Sequence, residues 1–406
     1  MVTHVLTSNR ASVPVFADRV FEGLPRTDQR RWAQAYVESL LTTPGKKTVR
    51  RLAAQISDSP TASQSLHQFV NASPWDWNPV RAELSRWAEQ EMTPQAWVVG
   101  QAVLRKRGEH SCGVHRRYVP ATGRSVTCQL GVGAFLASAD KAVPVDWRLM
   151  LPGSWSKDPE RRQRTRIPDE AVSRTVEQHA LDLVDSLVAA SGTAPLPVVC
   201  DLESATGTAA LVRGLALRGR DFVVAVPSGM QVMVGRHLRV QRPQAGGPEG
   251  PGMAVSAGSL FEFDAGMLTR METVASLDGR GRHTTVMTSY VRLPEPGPAG
   301  AQTYRTYRLF AVRPEDGRRP VQLWLTSLMH ARMESVLALT RLLPRSAEAV
   351  REMAEDFGLV DFEGRSYPGW HHHMTLVSAA YAYSRLDRRP ARTAEPMLAE
   401  PMLAAA

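Results

Sequence analysis

At Ala96 the hydrophobic period of the chain changes, and that change decides which folds are open to it. From Arg19 to about Glu91 the pattern is helical, with Trp32, Ala35, Tyr36, Ser39 and Leu40 recurring at three- and four-residue intervals along one stripe. From Ala96 the period is 2. Ala96–Val99, Cys112–Val119 and Ser125–Ala137 read as strands, and the turn Ala121–Arg124 joins the last two as a hairpin. A long amphipathic helix (Ile167–Ala190), a short buried strand ending on an acid (Pro197–Asp201), a helix (Thr206–Leu217) and a strand (Phe222–Val226) follow. The order is β-β-β-α-β-α-β with the first three strands antiparallel. With 406 residues, 43% hydrophobic and 22% charged, the chain can bury a large core, which excludes wholesale disorder and a disulfide-stapled scaffold.

The remainder divides by composition. Gly-Pro-rich runs (Pro243–Pro251 and Pro294–Gly300) separate short polar strands such as Thr284–Arg292 and Thr303–Val312, a β-rich insertion. Helices are expected at Leu328–Leu342, Ala347–Phe357 and from Trp370 to about Leu386, and a duplicated Glu-Pro-Met-Leu-Ala ends the chain. The expected units are a helical N-terminal domain (16–94), the first part of a mixed-sheet domain (95–234), the insertion (235–320), its C-terminal helical part (321–388) and a disordered tail (389–406). No apolar run approaches the ~18 residues a membrane span needs, and His4, Ser8, Asn9 and Arg10 interrupt the N-terminus where a signal peptide needs an apolar core. The expectation is a cytoplasmic protein without membrane partners. Cys112, Cys128 and Cys200 read as buried reduced thiols. The net charge of +9 favours a polyanionic partner, but 44 of the 49 basic residues are arginine in a chain rich in Ala, Gly and Pro, which also follows from genome composition.

Six segments share a further resemblance: Leu24–Trp32 (LPRTDQRRW), Pro44–Arg51 (PGKKTVRR), Gln64–Val70 (QSLHQFV), Ser73–Trp77 (SPWDW), Pro144–Leu149 (PVDWRL), and Phe362–Ser366 (FEGRS) with Gly369–His373 (GWHHH). In this order the set resembles the bacterial insertion-sequence transposases of the 701 family, which carry a DDE nuclease domain. The resemblance implies an α+β fold with a ribonuclease H-like mixed sheet flanked by helices, DNA as partner, and a homodimer by analogy.

The same resemblance implies two divalent ions, Mg²⁺ or Mn²⁺, held by three carboxylates from the first strand, the end of the fourth strand and a late helix. Asp201 matches the middle acid; the alternative for an aspartate at a strand end is a helix cap. After Ala96–Val99 the family's acidic pair is replaced by Gly100 and Gln101. Counting back from Gly358-Leu359 puts Ala347 at the late glutamate, with Glu348 a substitute only if the register slips by one residue, a rotation of ~100° on a helix. Glu109 and Glu203 are the remaining acids able to compensate. Asp201 and Glu348 are therefore the candidate acids, Gly100, Gln101 and Ala347 the degenerate positions, and no resident metal or cofactor is expected, Mg²⁺ belonging only to an active form.

Lys46, Lys47, Arg50 and Arg51 read as the start of a basic helix whose i, i+4 pairs face phosphates, and Arg105, Lys106 and Arg107 as a second DNA-binding patch. His371-His372-His373 cannot chelate one ion from consecutive helical positions, so a packing role is expected. Three readings follow: a catalytically inert DNA-binding protein, with transcriptional regulation as one use; an active transposase; and a non-DNA scaffold or relic.

Overall fold

The computed structural model describes residues 12–119, 123–192, 194–202, 207–234, 253–262, 270–275, 283–294, 305–312 and 322–386. Five helices open it: α1 (Val13–Val20), α2 (Thr27–Thr42), α3 (Val49–Ile56), α4 (Ala62–Asn71) and α5 (Trp77–Glu91). The caps are written in the sequence. Thr48 accepts from the Arg51 amide to start α3, and Asp76 accepts from the Asn78 amide at 2.9 Å to start α5.

Strands β1 (Ala96–Arg105), β2 (His115–Val119), β3 (Arg124–Ala137) and β4 (Ala142–Leu149) come next. Short helices α6 (Gly153–Lys157) and α7 (Pro159–Thr165) lead to α8 (Val176–Ala190), β5 (Val198–Cys200), α9 (Thr208–Leu217) and β6 (Phe222–Val226). β3 pairs antiparallel with β1 and β4, while β5 runs parallel to both β1 and β6. The core order β4-β3-β1-β5-β6 is the ribonuclease H-like arrangement expected from the sequence.

The sheet does not end there. β7 (Gln231–Val234) and β8 (Met253–Ser256) form a separate ribbon, followed by α10 (Ser259–Glu262). β9 (Arg270–Ala275), β10 (His283–Val291), β11 (Tyr307–Val312) and β12 (Leu323–Thr326) form an antiparallel set. β12 then pairs with β6, so these strands continue the main sheet. The C-terminal part holds α11 (Met333–Thr340), α12 (Leu343–Asp356) and α13 (Tyr367–Leu386). The proposed tail, 389–406, lies outside the described residues.

The structure departs from expectation in a helix start and in an additional strand, β4. The helix assigned to Ile167–Ala190 begins only at Val176, because Thr175 and Gln178 form a reciprocal capping box there. β4 is a strand despite Pro144. Its partner is β3, and a bulge at Ala134/Phe135 accommodates the missing amide hydrogen.

Helix α13 is the keystone. Sixteen of its 20 residues are buried, and it packs against α2, α4, α5 and β4. At its centre the Arg81 guanidinium spends five donor bonds. Nε donates to Thr375 Oγ1 (2.8 Å), Nη1 to Asp146 Oδ1 (2.9 Å) and the Trp147 carbonyl (2.8 Å), and Nη2 to the His371 carbonyl (2.9 Å) and Nδ1 (3.2 Å). Burial lowers the Arg81 pKa to about 10, with Asp146 opposing the shift, so the group stays charged.

The histidine triplet packs as expected. His371 stacks on Trp77 at 4.5 Å, His372 on Trp75 at 3.8 Å and His373 on Phe362 at 5.1 Å. His372 lies between the Val70 and Trp75 carbonyls and, as a neutral ring, donates to one of them, and His373 bonds Tyr36 Oη and the Gly358 carbonyl. The segments SPWDW, PVDWRL and GWHHH thus meet in one buried lock joining the helical N-terminus to the sheet. All three cysteines are buried and reduced.

Candidate functional site

β5 is three residues long and pairs with Trp97–Val99 of β1, whereas β1 runs on to Arg105. From Gly100 onward one edge of β1 therefore has no strand beside it among the described residues. A cavity of about 470 Å³ occupies this notch, and its walls include Gly100, Gln101, Arg117, Asp201, Ser346 and Ala347. The structure so gathers the sequence-predicted positions Gly100, Gln101, Asp201 and Ala347 in one place, from β1, the end of β5 and α12, the three elements the chemistry called for.

The two replaced positions on β1 are not equivalent. Successive strand residues face opposite sides. Gly100 faces α12, where a side-chain carbon would stand 3.5 Å from Ser346 Oγ and 3.7 Å from Phe135 Cε2. Gln101 faces the other way, its Nε2 donating to the Leu202 carbonyl at 2.7 Å and its Oε1 accepting from Arg117 Nη2 at 3.1 Å. Gly100 is thus the position from which an acid would meet α12.

On α12, Ala347 lines the cavity and Glu348 does not. Glu348 is turned to solvent, held by Arg345 at 3.1 Å and Arg351 at 4.0 Å. This corrects its candidacy: one residue along the helix carries the carboxylate away from the notch. Asp201 is half-buried just past β5. It is not the cap of α9, whose N-cap is Gly207. Glu109 is exposed and off the cavity, and Glu203 lies outside the described residues.

A two-metal centre needs clustered oxygen anions. Among the described residues the cavity wall carries one carboxylate, Asp201, and no group of three or more His, Cys, Asp or Glu is placed to hold a metal. Arg117 stands in the same wall. The described donor set does not fit a pair of divalent ions.

The basic patches are also rearranged. α3 starts at Val49, not at Pro44-Gly45, so Lys46 and Lys47 precede the helix and do not share a face with Arg50 and Arg51. Lys47 is buried. Its Nζ caps the end of α2 by donating to the Leu40 carbonyl (2.7 Å) and the Thr43 carbonyl, and its amide donates to Asp361 Oδ2 (2.7 Å). Burial lowers its pKa, with Asp356 opposing the shift. Gly358 makes room for it. The left-handed backbone there (φ 73°) ends α12, and a Cβ would strike the Lys47 side chain at 2.5 Å. Lys46, Arg50 and Arg51 are exposed, although Arg51 also donates to the Pro44 carbonyl.

Lys106 is likewise tied down, donating to the Phe362 carbonyl at 2.7 Å, and burial lowers its pKa to about 8. Arg105 and Arg107 stay exposed. Sequence reading missed Arg116, Arg117 and Arg124, which the β2–β3 hairpin brings beside them: Arg105 pairs with Cys128 of β3, whose other partner is His115 of β2. The alternating strand His115–Val119 with its Arg116-Arg117 pair was the available signal.

A sequence profile of the DDE superfamily endonucleases matches residues 19–262. Among solved structures, the chain is similar to a piggyBac transposase synaptic complex with hairpin DNA determined by cryo-EM, at 11% identity and a TM-score of 0.41 over 89% of this chain. The match spans 66% of that transposase chain. No curated protein matched. Among the described residues, no helix is long and apolar enough to cross a membrane. With the profile spanning more than half its length, the chain belongs to the DDE superfamily endonucleases.

Proposed function

We propose that this chain is a DNA-binding member of its family that no longer cuts DNA, derived from an insertion-sequence transposase of the 701 type and used without a resident metal. One observation carries the reading: where the family's acids converge, Gly100 and Ala347 leave Asp201 as the one carboxylate among the described wall residues. The arginines clustered on the neighbouring hairpin supply the charge for sequence-independent phosphate contacts, and a two-stranded ribbon of this kind fits the major groove. Transcriptional regulation, a homodimer and association with the nucleoid belong to the same proposal.

The test is a mobility-shift titration of the full chain against genomic fragments, including the region upstream of its own gene, over a salt series with and without Mg²⁺ or Mn²⁺. Selective shifts of intact DNA that weaken steeply with salt are expected. Metal-dependent nicking at inverted repeats would instead make it an active transposase, with Glu203 the first acid to replace. Absence of binding at low salt would make it a scaffold or relic.

A further inference from the structure

The notch holds an anchored cation where the chemistry of the family calls for anions. Gln101 is bonded at both ends of its amide, donating to the Leu202 carbonyl and accepting from Arg117. Neither a glutamate nor a leucine could do both: a carboxylate has no proton for the Leu202 carbonyl, and a leucine offers Arg117 nothing. Glutamine therefore fixes Arg117 at the cavity wall. Arg117 is half-buried, and Gln101 is its one hydrogen-bond partner among the described residues, which leaves most of its five donors for a ligand. Much of the remaining wall is apolar, including Val103, Phe135, Trp324 and Val350. Such surroundings strengthen a charge-assisted bond relative to water. A guanidinium fork in a half-open, largely apolar notch matches the geometry of a phosphate.

We propose that this cavity binds a phosphodiester of a DNA strand without a divalent ion, with Arg117 supplying the positive charge and Gln101 acting as its positioning residue. The proposal deepens the DNA-binding reading and rests on it. A strand phosphate and a free phosphate present the same chemistry to Arg117, so the test separates them.

The full-length protein is titrated by fluorescence anisotropy against a labelled duplex with a single-stranded oligothymidine tail. The titrations run in EDTA and in Mg²⁺ at matched ionic strength, over a salt series. Equal affinity in both conditions is expected. Arg117→Ala and Gln101→Leu each weaken binding about 10-fold, the loss of one charge-assisted contact. Each lowers the salt slope by about 1. The double variant is no weaker than Arg117→Ala alone, because Gln101 acts through Arg117. Arg124→Ala, on the exposed end of the hairpin, adds its effect independently.

Wild-type binding that Arg117→Ala and Gln101→Leu both leave unchanged overturns the phosphate site and leaves the DNA-binding reading standing. Loss of binding in EDTA overturns metal independence. Full displacement of the duplex by inorganic phosphate at matched ionic strength assigns the site to free phosphate instead. Failure of the wild type to bind at low salt overturns the DNA-binding reading itself.

Discussion

Gly100 on β1 and Ser346 on α12 face each other across the notch, with 3.5 Å between the Ser346 hydroxyl and the point where a side chain at Gly100 would begin. That spacing is ordinary contact, and Gly100 has no left-handed backbone, so a Cβ fits there without strain. Gly100→Asp combined with Ala347→Glu would rebuild three carboxylates around Asp201. The double variant is expected to gain a Mn²⁺-induced rise in melting temperature absent from wild type. At saturating metal the gain corresponds to roughly 3 kcal/mol when the ion is at about 100 times its Kd. An unchanged melting curve with metal would show that the notch cannot be restored by acids alone.

Arg81 is nearly fully buried and links α5, β4 and α13. Asp146→Ala leaves this guanidinium, and part of Arg148, without its carboxylate. A loss of about 3–5 kcal/mol in urea unfolding is expected. The joint replacement Arg81→Leu with Asp146→Leu removes both charges and should cost less than the two single losses added, a coupling read from the double-mutant cycle.

Acid should loosen the same lock. Burial lowers the pKa of His372 to about 4 and of His373 to about 3, against 6.5 for an exposed ring. Below pH 6.5 the unfolded chain binds protons that the folded chain refuses, so stability falls as pH drops from about 6.5 towards 4. At pH 5 the loss is on the order of 2 kcal/mol per ring. Melts at pH 7 and pH 5 check it: His373→Asn, which cannot titrate, should show a smaller difference between them.

Lys47 and Arg50 separate structure from binding. Lys47→Ala removes the cap of α2 and should destabilise the fold by about 1–2 kcal/mol without changing the salt slope of DNA binding. Arg50→Ala should do the reverse, leaving the melt unchanged and lowering the slope by about 1. Equal slopes for wild type and Arg50→Ala would remove α3 from the DNA-binding surface.

Local signals carried the sheet and most helices. Phe222–Val226 is a strand at the residues its apolar run marks, whereas the β-β-β-α-β-α-β order read from the period omits β4, the fourth strand ahead of α8. Ala347 and Asp201 are named from the resemblance, Ala347 by counting back from Gly358-Leu359 and Asp201 as the acid after Pro197–Cys200. Where sequence reading failed, a long-range contact decided. Lys47 looks like a helical phosphate ligand until Gly358 and Asp361, more than 300 residues away, close over it. Even there Thr48, a good N-cap, marked the true start of α3. β1 runs six residues past Val99 because β3 continues beside it, a pairing no single-strand pattern reveals. The difference between Gly100 and Gln101 is of the same kind, since their facing depends on the register of a sheet assembled from distant segments.

The position of α13 has a consequence for how the chain comes into being. Tyr36 on α2 bonds His373, 337 residues later, and Arg81 bonds Thr375, 294 residues later. A ribosome releases α2 and α5 long before it makes the helix that seals them. The first helices therefore wait, apolar stripes unsatisfied, until about 300 further residues have been made. A message cut short before about residue 386 leaves α2 and α5 without the helix that seals them, so α13 completes the N-terminal unit.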